Sequence, residues 1–197
     1  MIYILSLLMI VNSCVVPRHI KNTFIGCYDG TPTGIDTLLD LSGCFHTSSL
    51  VPFRNERLAT NFYVLIFYND GMVFRFGGVS SDPFYNVPAR IQQKLYEAYP
   101  DRLRNGDWGL YELKDDIIKV QFIYRPNPPE KYDSYIVRYK VIDKHTIQEM
   151  LFNDIKETYN FMPIEKLPSS ECWLKSEKWF WCDEELYKRH KQTSKSR

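Results

Sequence analysis

The sequence lacks an excess of charge of either sign. Its 25 Lys and Arg residues are nearly matched by 24 Asp and Glu residues, which leaves a formal net charge of +1 at pH 7. Domains that bind nucleic acids usually present a basic surface, because they have to neutralise phosphates. We therefore expect no nucleic-acid partner for this protein.

The sequence also lacks the short motifs that mark most catalytic and cofactor sites. It has no G-x-x-x-x-G-K-[ST] loop, no G-x-G-x-x-G and no G-x-S-x-G nucleophile turn. None of the histidines stands in a metal-ligand pattern; they are His19, His46, His145 and His190. The adjacent carboxylates Asp115 and Asp116 fit a hairpin turn better than an acid–base pair. We expect no enzyme activity, no metal and no cofactor.

A hydrophobic run long enough to cross a membrane as a helix is missing as well. The uncharged stretch at Ile2 to Val11 has ten residues, whereas a spanning helix needs about 20. Ten residues match the apolar core of a secretory signal. The following Val11-Asn12-Ser13-Cys14 resembles a bacterial lipobox, which implies lipid on the Cys14 thiol and cleavage before it. The alternative is a buried N-terminal strand with an incidental cysteine.

The lipobox interpretation predicts where the protein resides. Residues 1–13 would be the signal peptide and residues 14–22 a lipidated tether. A thioether diacylglycerol with an N-acyl chain anchors a protein stably, which a single chain does not. Val15 rather than Asp follows Cys14, and the tether has no acidic run. We expect a protein of the cell envelope, lipid-anchored at the periplasmic face of the outer membrane.

The other cysteines form an even set, as is common in exported proteins. They are Cys27, Cys44, Cys172 and Cys182. The pairing with the shortest loops joins Cys27 to Cys44 and Cys172 to Cys182, and free thiols are an equally good alternative. A zinc site is disfavoured because no C-x₂-C pair is present.

The composition favours strands. Aromatic residues are 15% of the chain, with 14 Tyr and 12 Phe, and such residues are enriched in sheets. The region Ile35 to Phe45 alternates with a period of two, which predicts a half-buried strand. Two apolar runs flank Asn69-Asp70-Gly71, which predicts a hairpin. The spacing in Val87 to Tyr99 predicts one short helix.

The second half of the chain repeats the strand pattern. Ile117 to Tyr124 and Tyr132 to Ile142 read as strands joined by short turns, and such a meander closes into a barrel or a sandwich. We predict a single, mostly β domain over residues 23–187, an antiparallel meander that ends in a helical or irregular segment. Residues 188–197 are expected to form a solvated basic tail.

Two stretches carry a resemblance to a known group. GDWGLYELKDDIIKVQFIY, followed by YIVRYKVIDKHTIQEM, is similar to small lipocalin-like lipoproteins of the Bacteroides group. The ending LPSSECWLKSEKWFW also resembles endings seen in that group. The resemblance covers the signal, part of the meander and this ending. It implies a lipocalin-like barrel and brings no catalytic residue with it, because the group has no assigned chemistry.

The aromatic side chains are the main functional clue. In a small barrel the inward rings either fill the interior or line a ligand cavity. The candidate lining residues are Phe74, Phe76, Trp108, Tyr111, Phe122, Tyr135 and Tyr139. We expect a lipoprotein that binds a small apolar or aromatic molecule. The alternative is an envelope accessory that recognises a protein or glycan through an aromatic surface, for which Trp173 to Trp181 is the candidate.

Overall fold

A computed structural model describes the chain at residues 20–21, 24–52, 58–80, 86–97, 107–124, 133–151 and 154–195. Eight strands run through these residues. They are β1 (Gly43–Pro52), β2 (Leu58–Phe67), β3 (Met72–Ser80), β4 (Asp107–Lys114), β5 (Ile117–Tyr124), β6 (Asp133–Asp143), β7 (Thr146–Leu151) and β8 (Asp154–Pro163). Each strand pairs antiparallel with the next, and β8 pairs with β1, so the sheet is a closed barrel. The predicted antiparallel meander is confirmed, as a barrel and not a sandwich.

Short helices flank the barrel. They are 3₁₀ turns at Ile35–Thr37, Trp173–Ser176 and Lys178–Phe180, and the α-helices α1 (Val87–Glu97) and α2 (Glu184–Lys195). The predicted helix after β3 is confirmed as α1. Residues 188–194 of the expected solvated tail are mostly exposed, and as far as residue 195 they are helical as part of α2. Asp183 caps the N-terminus of α2, because its Oδ1 accepts a 2.7 Å hydrogen bond from the backbone N–H of Glu185.

The strands bury side chains on both faces. Inward positions form an inner cluster that includes Phe45, Leu65, Phe67, Val73, Tyr111, Val120, Phe122, Tyr139, Ile147 and Tyr159. The alternate positions of β1–β5 form an outer cluster with α1 and with the C-terminal segment, residues 164–195. Because successive side chains of a strand point to opposite faces, β2 and β3 carry apolar residues on both faces over much of their length. Their nearly continuous hydrophobic sequences follow from this double burial.

Residues 33–40 close one end of the barrel. The backbone N–H of Thr33 donates to the carbonyl of Asn69 over 2.8 Å, and that of Asp40 donates to the carbonyl of Lys144 over 3.0 Å. The segment therefore crosses from the β2–β3 turn to the β6–β7 turn. Between these bonds, Ile35 and Leu39 are buried in the inner cluster. We call this the closed end.

The strand predicted over Ile35 to Phe45 is wrong for most of its length. Residues Ile35–Thr37 form a 3₁₀ turn, and β1 begins only at Gly43. Gly34 precedes the turn at φ 78°, a left-handed conformation that glycine adopts without a Cβ penalty. Ile35 and Leu39 lie four residues apart, so a helical turn brings them to the same side. Their spacing satisfied the alternating pattern by coincidence.

The opposite end of the barrel is its mouth. We define the mouth by the strand ends Pro52, Leu58, Ser80, Asp107, Tyr124, Asp133, Leu151 and Asp154. The 3₁₀ segment that plugs the closed end has no counterpart at the mouth among the described residues. Large exposed apolar side chains gather near this end; they include Leu50, Leu58, Val79, Leu151 and Ile155.

The C-terminal segment is bonded to residues 27 and 28, which precede the barrel. Cys27 and Cys182 form a disulfide that spans 155 residues, with their Cα atoms 4.8 Å apart. The adjacent Tyr28 donates its backbone N–H to Phe180 over 2.7 Å and accepts one from Cys182 over 3.0 Å. The predicted short-loop disulfides are therefore wrong, because the strand-like bridge at Tyr28 and Trp181 brings the neighbouring Cys27 and Cys182 together.

Cys44 and Cys172 are free and buried. Cys44 lies on the outer face of β1, and both thiols belong to the outer cluster. Burial raises the pKa of each thiol to about 12, so neither is an activated nucleophile at neutral pH.

Cys14 and nearly all of the expected tether lie outside the described residues. Ile20 is the informative exception, because it is fully buried and packs in the outer cluster. The folded body therefore begins before residue 23, the boundary that we predicted.

Candidate ligand-binding site

A cavity of about 290 Å³ lies toward the mouth of the barrel. Five consecutive strands, β2 to β6, line it with Tyr63, Arg75, Phe76, Gly77, Asp107, Tyr124 and Tyr135. Its volume is at the lower end of the range for small-molecule sites, roughly 300–1,000 Å³. The lining combines aromatic rings with one cation and one carboxyl group.

Strand register brings the polar residues into this cavity. Tyr63 pairs with Gly77 across β2 and β3, and Arg75 pairs with Asp107 across β3 and β4. Gly77 has a steric role, since a Cβ atom there would stand 2.6 Å from Cδ1 of Tyr63. The Tyr63 ring can lie against the barrel wall only because position 77 has no side chain, an arrangement known from glycines covered by aromatic neighbours in sheets.

Arg75 is held inside an aromatic box. Its guanidinium carbon lies 4.5 Å from the ring centre of Tyr63, 5.5 Å from that of Tyr135 and 5.8 Å from that of Phe122. Such cation–π contacts favour a charge over ring faces. Nη1 of Arg75 also donates a 2.7 Å hydrogen bond to the hydroxyl of Tyr135. The guanidinium is thus fixed in position and orientation.

Most of the hydrogen-bonding capacity of Arg75 is unused by the described residues. A guanidinium has five N–H donors, and the bond to Tyr135 is the one that the described part of the chain accepts. No carboxylate in the described ranges lies within ion-pair distance of it. The cavity is therefore lined by a positive charge, the guanidinium of Arg75, whose other N–H groups have no acceptor among the described residues.

Asp107 is the second polar group of the cavity. Burial raises the pKa of its carboxyl group above the usual value, and the positive charge of Arg75 acts in the opposite direction. Since the net shift is upward, the nearby guanidinium compensates only part of the lost hydration.

Tyr135 connects the cavity to the rings beneath it. Its ring stacks on Phe122 with the ring centres 5.3 Å apart, and Tyr124 lies 5.7 Å away on the mouth side. Burial raises the pKa of Tyr135 to about 12, although Arg75 opposes this shift. The hydroxyl therefore stays protonated in the physiological range and can accept from Arg75.

A second polar group lies deeper in the barrel. Tyr159 donates its hydroxyl to Oε2 of Glu149 over 2.9 Å, and Lys156 donates to Oε1 over 3.1 Å. The hydroxyl of Tyr139 is buried without a hydrogen-bond partner among the described residues. Together with Phe45 and Phe67, these rings fill the barrel below the cavity.

The structure separates the predicted lining residues into three groups. Tyr135 lines the cavity from inside the barrel, whereas Phe76 borders it from the outer face of β3, with its ring centre 5.7 Å from that of Phe74. Tyr111, Phe122 and Tyr139 point inward but belong to the packed interior. The prediction is wrong for Phe74 and Trp108, which lie on the outer face with ring centres 4.8 Å apart.

The most informative lining residues were not predicted from the sequence; they are Tyr63, Arg75, Gly77, Asp107 and Tyr124. A signal for Arg75 existed in the stretch MVFRFGG. A charged residue within an otherwise apolar strand has to be paired, exposed or placed in a polar cavity. Gly77 follows two positions later, on the same face of the strand.

The described residues hold neither a metal-ligand cluster nor a membrane-spanning helix. No group of three or more His, Cys, Asp or Glu side chains there could hold a metal ion. No helix in the described part of the chain combines the length and apolarity that crossing a membrane requires.

Comparisons with known proteins found no significant match to this chain. No family model matches it, no curated protein matches it significantly, and no solved structure does so. Arguments about its function therefore start from the cavity itself.

Proposed function

We propose that this protein binds a small, largely aromatic molecule in the mouth of its barrel. The observation that carries the proposal is the cavity of about 290 Å³ with Tyr63, Tyr124 and Tyr135 in its walls. Flat aromatic walls suit a flat ligand, because ring stacking adds to the free energy of burying apolar surface. The exposed apolar side chains near the mouth support the entry of such a molecule.

The proposal is tested with the uncharged fluorescent probe 1-naphthylacetamide, titrated into the purified full chain. We expect saturable binding at one site. The substitution Gly77→Val should abolish binding, because its Cβ would meet both the Tyr63 ring and the backbone oxygen of Phe62 and would force this part of β2 to move at the cavity wall. The control is Arg138→Val, because Arg138 is exposed on the outer face of β6. This variant should leave binding unchanged.

Native mass spectrometry of the purified chain provides an independent measurement. A co-purified small molecule that is lost in Gly77→Val would support the proposal. Absence of a co-purified molecule, together with no saturable probe binding, would remove it.

Membrane anchoring through Cys14 belongs to the same proposal. It is supported by the ten-residue apolar stretch and the lipobox-like Val11 to Cys14. The test is labelling with radioactive palmitate, with and without globomycin. Label that depends on Cys14 is the expected result, and an unlabelled chain would contradict the anchor. Protease shaving of intact cells should leave the protein intact if it faces the periplasm.

The alternative, partner recognition by Trp173 to Trp181, gains no support from the geometry. Trp179 packs edge-on against Phe24, and Trp181 packs edge-on against Tyr28. The indole N–H of Trp181 donates to the carbonyl of Lys175 over 2.9 Å. These rings pack the C-terminal segment against residues 24–28, so we propose the ligand-binding function alone.

A further inference from the structure

We propose that the ligand is an aromatic acid, whose ring lies among the tyrosines of the cavity and whose carboxylate binds the guanidinium of Arg75. This inference rests on the proposed function and specifies the chemistry of the ligand. Its evidence is the environment of Arg75, and the argument has three steps.

The first step concerns the charge. An arginine side chain cannot be deprotonated in a protein, so the half-buried guanidinium of Arg75 keeps its positive charge at the cavity wall. Among the described residues it donates to Tyr135 and faces rings, but it has no ion pair. Ring faces stabilise a cation without satisfying its N–H donors. An acceptor that enters the cavity would satisfy them.

The second step concerns geometry. The stacking on Tyr63 and the hydrogen bond to Tyr135 leave the guanidinium little freedom. Its remaining N–H groups form a planar fork that matches the two oxygens of a carboxylate. Because the fork is already oriented, little conformational entropy is lost when an anion binds. The same aromatic walls that orient Arg75 contact the ring of the ligand.

The third step concerns Asp107, the other charged group that lines the cavity. Its carboxyl group is not within ion-pair distance of Arg75 among the described residues, although the two are cross-strand partners. It would repel an anion bound at Arg75 and attract a cation. The sign of its effect on binding therefore distinguishes an acidic ligand from a basic one.

The experiment compares three probes that share one ring system. They are 1-naphthylacetate, 1-naphthylacetamide and 1-naphthylmethylamine, which are anionic, neutral and cationic at pH 7.5. Each is titrated into the purified full chain by calorimetry. We expect the acetate to bind at least about tenfold more tightly than the amide, which is the ratio that one charged hydrogen bond supplies. The amine should bind most weakly.

Substitutions then assign the preference to residues. Arg75→Gln should remove the preference for the acetate, whereas Arg138→Gln, the same change on the outer face of β6, should retain it. Asp107→Asn should strengthen the binding of the acetate. Tyr135→Phe is a milder variant that keeps the ring and removes only the hydroxyl; it should weaken the acetate about threefold and spare the amide. Circular dichroism checks the fold of each variant.

The outcomes separate the inference from the proposed function. Equal binding of acetate and amide would overturn the acid specificity and leave the aromatic site intact. Tightest binding of the amine, lost in Asp107→Asn, would show that the carboxyl group selects the ligand and would also overturn it. Failure of all three probes to bind, with no co-purified molecule in native mass spectrometry, would remove the proposed function and the inference together.

Discussion

The ammonium group of Lys175 donates a hydrogen bond to Oδ2 of Asp70 over 3.0 Å, although the two residues are 105 positions apart. The Lys175 side chain is only 4% exposed, and its Nζ also lies 4.7 Å from the ring centre of Tyr28. Ser170 and Tyr28 donate to the same carboxylate oxygen over 2.8 and 2.9 Å. A single aspartate in the β2–β3 turn thus binds Tyr28 on one side and the C-terminal segment on the other.

Removing the cation from this pair should be costly. Lys175→Met leaves the carboxylate of Asp70 mostly buried without its charge partner, and we expect a loss of about 3 kcal/mol in the free energy of unfolding. Lys178→Met is the matched control, because Lys178 pairs with Glu184 where their side chains are 60% and 52% exposed. That control should cost less than about 1 kcal/mol. Urea denaturation measures both, and equal losses would contradict a special role for Lys175.

The Asp70 carboxylate should also make the stability of the fold depend on pH in the acid range. Burial opposes the charge of Asp70, but Lys175, Ser170 and Tyr28 more than offset it, so the pKa of Asp70 is lowered below its usual value. A lowered pKa stabilises the fold at every pH above the unfolded value of about 3.9, and this stabilisation is lost as the pH falls through the folded value. The stability difference between wild type and Asp70→Asn should therefore be constant from pH 5 to 7 and shrink below about pH 4. A difference that does not change between pH 7 and pH 3 would exclude this linkage.

The disulfide makes a separate contribution. Cys27 and Cys182 are both exposed, so a mild reductant should reach the bond without unfolding the barrel. Because the bond closes a loop across 155 residues, its loss in Cys27→Ser/Cys182→Ser should lower the free energy of unfolding by about 2–5 kcal/mol.

Peptide mapping tests the pairing itself. After alkylation in denaturant without reductant, Cys44 and Cys172 should carry the label, and Cys27 and Cys182 should not. A labelled Cys27 would disprove the pairing. An unlabelled Cys44 would show that Cys44 is not a free thiol.

Local patterns in the sequence were sufficient to predict the meander and several of its turns, although the first strand was placed too early. The turn at Asn69-Asp70-Gly71 was predicted because two β-rich runs flank a glycine, and Gly71 does adopt φ 88°. The turn at Asp115-Asp116 followed in the same way and joins β4 to β5. These features depend on neighbours in the sequence, which a single chain displays fully.

Features that depend on distant contacts were not predictable. Phe74 and Arg75 are adjacent, and the sequence gives no means of deciding which one faces the interior when the outer face is also covered. The outer face is covered by α1 and residues 164–195, whose contacts with the strands join positions far apart in the sequence. The pairing of Cys27 with Cys182 depends on the same docking, so spacing alone favoured the wrong partners.

Two tyrosines inside the barrel allow a stringent test of the described packing. Tyr139 and Tyr159 are both fully buried, with perpendicular rings whose centres are 5.7 Å apart. The Tyr159 hydroxyl donates to Glu149 over 2.9 Å, whereas the Tyr139 hydroxyl has no partner among the described residues. The same substitution should therefore have opposite effects at the two positions.

Tyr139→Phe removes an unpaired buried hydroxyl and should stabilise the protein by about 1 kcal/mol. Tyr159→Phe leaves Oε2 of Glu149 without its donor and should destabilise it by about 2 kcal/mol. Thermal denaturation of both variants, followed by circular dichroism, measures the difference directly. If Tyr139→Phe were destabilising instead, its hydroxyl would have to be hydrogen-bonded, for example to a buried water, and the barrel interior would be more polar than its side-chain contacts indicate.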